Sequence, residues 1–105
     1  MIEVFRAKLI EDEKEREAAM EVIAERESYY VELFAQESRP PRIKVTYEGA
    51  NPLTIRILFS PVNAKTVVVS ESGYGTADAV TKHAFKKLRR RAKNHFVKMK
   101  NRHRK

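Results

Sequence analysis

The residues best equipped for chemistry in this chain are cations. Lys82, Lys86, Lys87, Arg89, Arg90, Arg91, Lys93 and Lys98 crowd into the last quarter of the sequence. Ammonium and guanidinium groups on a rigid element contact phosphates, and such contacts fix position without reading base sequence. A second set of groups is acidic: Glu13, Glu17, Glu21 and Glu25 recur every fourth residue. Carboxylates do acid–base work when they face each other across a cleft with separated pKa values. On one helix face they form a solvated surface and even repel each other slightly. That stripe could either hold a basic helix in place or meet a basic partner. The third candidate is Gly73-Tyr74-Gly75-Thr76, which precedes a helix. Backbone N–H groups at a helix start bind anions. The segment lacks Walker-type spacing and a following Lys-Ser/Thr, so a plain strand-to-helix turn is favoured, with Tyr74 available to stack. Three histidines, His83, His95 and His103, have no i, i+4 partner and no cysteine beside them. No metal site and no catalytic constellation follow from that pattern, and no cofactor is expected. His83 and His95 are expected to border the core or to touch phosphate.

The elements that must carry these residues follow from periodicity. From about Glu11 the apolar residues Ala19, Val22, Ile23, Tyr29, Tyr30, Leu33 and Phe34 recur at helical spacing. Pro40-Pro41 stops that helix. A helix over 11–37 would be about 40 Å long, against about 27 Å for an eight-residue strand. It must therefore overhang the sheet or break, for instance near Ser28. Residues 2–9 half alternate and fit either a short strand or the first turns of the helix. Three strands follow, over Arg42–Glu48, Leu53–Phe59 and Lys65–Glu71. Ile43, Val45 and Tyr47, then Leu53, Ile55, Ile57 and Phe59, point to one face. Lys44 and Arg56 point to the other and could extend a basic footprint. Short connections make an antiparallel meander. Thr76 is the expected N-cap of a last helix from Ala77 to about Lys100, whose stripe Val80, Ala84, Phe85, Leu88, Ala92, Phe96 and Met99 reads as core. The predicted fold is α+β: a three-stranded antiparallel sheet, with residues 2–9 open as a short fourth strand, covered on one face by two helices in the order α-β-β-β-α.

Length and charge bound what this fold can be. A chain of 105 residues suits one small domain. We place it at residues 1–100, with 101–105 as a basic tail. The absence of cysteine excludes a disulfide framework and the common zinc fingers and suits a reducing compartment. No apolar run approaches the roughly 20 residues of a membrane span, and Met1–Ile10 lacks the pattern of a signal peptide. A cytoplasmic protein with no membrane partner is expected. The net charge of +8 conceals a strong polarity. Residues 1–38 hold 11 acidic and 5 basic side chains, whereas residues 75–105 hold 1 acidic and 12 basic ones. Such a molecule points its basic end at a polyanion, of which nucleic acid is the commonest.

Two families resemble this pattern. Leu33-Phe34-Ala35-Gln36, Pro40-Pro41, Gly49, Gly73-Tyr74-Gly75-Thr76 and Ala84 fall in the order seen in double-stranded RNA-binding domains, over residues 33–88. Where that family carries Lys-Lys-x-Ala-Lys, this chain has Ala77, Asp78, Val80 and Thr81. The stretch Ala84-Phe85-Lys86-Lys87-Leu88-Arg89-Arg90-Arg91 resembles the last helix of ribosome hibernation promoting factors, a β-α-β-β-β-α family that fits the whole chain length. That resemblance implies binding to the small ribosomal subunit and silencing of translation. The departures are an acidic first helix, an insertion near 35–41 and one extra residue before Ala84. The expectation is therefore a non-enzymatic protein that docks on structured RNA, ribosomal RNA first, with ribosomal proteins as further partners. The rival reading is a protein-interaction module, or an inhibitor of a nucleic-acid machine, using its acidic and basic helices.

Overall fold

The computed structural model describes residues 1–35, 37, 39–61 and 64–93. The elements are β1 (Ile2–Phe5), a 3-10 turn (Ala7–Leu9), α1 (Glu13–Leu33), β2 (Arg42–Ala50), β3 (Leu53–Ser60), β4 (Val67–Gly73) and α2 (Ala77–Arg91). The architecture is α+β, as the periodicity predicts. The sheet has four strands in the order β1-β2-β3-β4. Residues 2–9 split into a strand and a turn. β1 adds to the edge of the meander parallel to β2, with Ile2 opposite Ile43 and Val4 opposite Val45. That pairing makes the sheet mixed.

Alternation places Ile43, Val45, Tyr47, Leu53, Ile55, Ile57, Phe59 and Val69 on the covered face, all of them buried. Both helices lie on that face. Tyr30 of α1 stacks obliquely on Phe85 of α2 at 6.4 Å between ring centres, and Phe34 lies 6.3 Å from Phe59 of β3. Tilted aromatic pairs of this kind join the two helices and the sheet into one core. α1 begins at Asp12, whose carboxylate accepts from the Lys14 and Glu15 amides, and Arg16 bonds back to the Ile10 carbonyl at 3.1 Å.

Two sequence expectations are corrected. α1 is shorter than predicted and runs unbroken through Ser28, whose hydroxyl bonds to the Ala24 carbonyl within the helix. Its 21 residues make a rod of about 31 Å, close to the sheet's reach, so no break is needed. The third meander strand begins at Val67 and extends to Gly73, because Ser72 still pairs with Thr54. Thr76 sits at the N-cap of α2 but makes no side-chain cap bond. The predicted helix beyond residue 93, with Phe96, Lys98 and Met99, and the tail 101–105 lie outside the described residues.

Candidate nucleic-acid interface

α2 presents three faces. Ala77, Val80, Thr81, Ala84, Phe85 and Leu88 are buried. Thr81 is the one buried polar residue among those described. Its hydroxyl donates to the Ala77 carbonyl at 2.7 Å and so accepts from the Tyr47 hydroxyl at 2.8 Å. This relay pins the first turns of α2 to β2. Burial raises the Tyr47 pKa, keeping its phenol a donor.

The second face lies over β4, the outer strand of the sheet. There Lys87 donates to the Ser70 carbonyl at 2.9 Å and lies 3.7 Å from the Glu71 carboxylate. Arg91, one helical turn on, donates to the Val68 carbonyl at 2.9 Å. Both carbonyls belong to an edge with no strand beyond it among the described residues. Charged groups at such edges block pairing with another chain. Lys87 and Arg91, expected as phosphate contacts, therefore hold the sheet's own backbone.

The third face is the open one. Lys82, Lys86, Arg89, Arg90 and Lys93 are exposed and make no hydrogen bond or ion pair among the described residues. Lys82, Lys86, Arg89 and Lys93 follow the spacing i, i+4, i+7, i+11, one row along about 16 Å of helix. B-form duplex, as a yardstick, carries roughly five phosphates per strand over that length. His83 is exposed, so of its two expected places, beside the core or facing phosphate, it does not take the first. His95, His103 and Lys98 lie outside the described residues.

Lys44 and Arg56 sit on the far side of the sheet, facing away from both helices. Lys44 lies over the Phe5 ring at 4.9 Å, and Arg56 lies 3.6 Å from the Glu48 carboxylate. The sheet separates them from the α2 row, so they cannot extend its footprint. Alternation puts Arg42 and Leu58 on the same face, and cross-strand pairing sets Leu58 between Lys44 and Val68.

The Gly73-Tyr74-Gly75-Thr76 segment is closed to phosphate. Glu15 of α1 reaches across and accepts from the Ala77 amide at 3.0 Å, supplying the cap that Thr76 does not. The Thr76 hydroxyl instead bonds to the Asp78 carboxylate and, with the Asp78 and Ala79 amides, holds its pKa below the ordinary value. Two carboxylates thus already occupy the positive end of the helix. The adjoining cleft of about 880 Å3 is lined by Glu11, Asp12 and Glu15 and repels anions. Tyr74 also lines it and is 82% exposed.

The acidic helix also divides by role. Glu15 caps α2, and Glu27 accepts from the Ile2 amide at 2.9 Å, fastening β1. Glu13, Glu17, Glu21, Glu25 and Glu32 are exposed. The regular stripe makes no ion pair to α2 among the described residues, so it does not hold the basic helix in place. The carboxylates that do anchor neighbours lie off the stripe, and their long-range partners left no local signal in the sequence.

No protein-family model, curated protein or solved structure matches the chain.

Proposed function

We propose that this protein binds structured RNA through the open face of α2, acting by occupying a site rather than by catalysing a reaction, with ribosomal RNA as the first partner to test. The observation that supports this reading is the row Lys82, Lys86, Arg89 and Lys93, with Arg90 beside it, exposed and making no hydrogen bond or ion pair among the described residues, although Asp78 lies within electrostatic reach of Lys82. The core fixes the helix that bears the row, so the charges meet a polyanion without first being ordered. Nothing in the row reads base edges, so the recognition is of backbone shape and charge.

The test is a salt titration of RNA binding. Each phosphate contact contributes roughly 0.7 to 0.9 to the log–log slope. The triple change K86A/R89A/K93A should flatten the slope by about 2. K44A/R56A should leave it nearly unchanged, because those residues lie on the opposite face of the sheet. An unchanged slope in the first variant would sink the placement. A lysate pulldown with and without RNase, read for ribosomal RNA and ribosomal proteins, then separates an RNA partner from a protein one.

A further inference from the structure

α1 and α2 lie side by side over one face of the sheet, and their outward surfaces carry opposite charge. The N-terminal turns adjoin through Glu15 and Ala77, and the later turns through Tyr30 and Phe85, so the helices run in the same direction. Outward from α1 stand Glu17, Glu21, Glu25 and Glu32, with Val31 exposed among them; outward from α2 stand Lys82, Lys86, Arg89 and Lys93. An acidic ridge therefore runs beside a basic one, and among the described residues no ion pair joins the two.

A surface of this form is complementary to itself. A two-fold axis laid along the helices, between them and above them, turns one copy so that its α1 lies over α2 of the partner. The same rotation lays its α2 over the partner's α1. Every acidic ridge then meets a basic ridge, twice over, in an isologous contact. An axis perpendicular to the helices would instead set like charge on like charge. We propose that the protein forms this two-fold homodimer through its two-helix face. This does not rest on the RNA reading, although the dimer covers the same α2 row and so opposes any polyanion that uses it.

Helices of 21 and 15 residues at a spacing of about 10 Å present roughly 500 Å2 per copy, about 1,000 Å2 in all. That is the lower limit for a specific interface. The dimer is accordingly weak and, being held by exposed charges, sensitive to salt.

Sedimentation velocity over a concentration series tests this on the full chain. The wild type should dimerise reversibly in low salt and dissociate as salt is raised to about 0.5 M, where the Debye length falls below about 5 Å. The acid-reversed variant E21K/E25K/E32K and the base-reversed variant K82E/K86E/R89E should each be at least tenfold weaker alone. Mixed in equal amounts they should recover a one-to-one heterodimer, because the rotation sets the all-basic face on the all-acidic one. All six positions are exposed, and circular dichroism checks that each variant folds; if either does not, E25K and R89E replace the triples. A wild type that stays monomeric in low salt, or a mixture that forms no heterodimer, overturns the proposal. Loss of RNA binding in the base-reversed variant alone would bear only on the function proposed above.

Discussion

The Tyr47–Thr81 relay offers the sharpest check on how α2 is held. Both side chains are 0% exposed, and the Thr81 hydroxyl spends its proton on the Ala77 carbonyl. The direction of the Tyr47 bond is thereby set: the phenol donates and Thr81 accepts. Thr81→Val keeps the shape but leaves a buried phenol without an acceptor, which costs about 2 kcal/mol. Tyr47→Phe leaves Thr81 with its donor bond intact, and costs about 1 kcal/mol. Removing both hydroxyls leaves no stranded donor, so the double variant should lose only about 1 kcal/mol. The coupling is then about 2 kcal/mol. Urea melts read these differences as midpoint shifts at constant slope. Thr81→Val alone should lower the melting temperature by about 10 °C. Additivity of the two single changes to within ~0.5 kcal/mol would refute the relay.

Other consequences are as direct. Removing Lys87 and Arg91 together (K87A/R91A) bares the Val68 and Ser70 carbonyls. It should give concentration-dependent association visible by light scattering, and a variant that stays as dispersed as wild type at every concentration would show that the edge needs no guard. Glu15→Ala should cost about 1 kcal/mol in urea melts by uncapping α2, with Glu15→Gln recovering much of it, since its amide oxygen can still accept from Ala77. Tyr30 is buried, and that burial pushes its pKa up to about 12. Its folded value exceeds the unfolded one, so its contribution is complete below pH 10 and is lost as pH rises from 10 towards 12. Urea midpoints between pH 9 and 11.5 should therefore fall more steeply for wild type than for Tyr30→Phe, and parallel curves would contradict the assignment.

Much of this molecule could be read without coordinates, and the exceptions share a cause. Alternation located the inward face of β2 and β3 residue by residue, because a strand buries every second side chain whatever it packs against. The stripe from Val80 to Ala92 was legible for the equivalent helical reason. β1 was ambiguous because four residues are too few to distinguish periods, and its parallel pairing depends on a partner far along the chain. The basic residues of α2 read as one cationic surface, yet Lys87 and Arg91 belong to the sheet edge. Local charge patterning cannot know where a free carbonyl will lie. Glu15 and Glu27 are silent in the sequence for the same reason: each is one more glutamate in an acidic helix, and its partner lies far along the chain.

The strand pairing also ranks the parts of the fold by how readily they come undone. β2 and β3 close a hairpin at Ala50 and Leu53, whereas β1 meets β2 only after the chain has passed through the whole of α1. Long closures order more chain for each bond gained. β1 is short, lies at an edge, and is fastened from the helix side by the Glu27 carboxylate. It is thus the strand of this sheet expected to detach first in a local opening. The Ile43 amide, bonded to the Met1 carbonyl at 3.1 Å, should exchange its hydrogen well before the amides of Ile55 and Ile57 at the sheet centre. Because Lys87 and Arg91 stay clamped on β4, such an opening exposes one margin of the sheet and leaves the basic helix in place. The molecule can breathe at its N-terminal strand while the surface carrying its charge stays rigid.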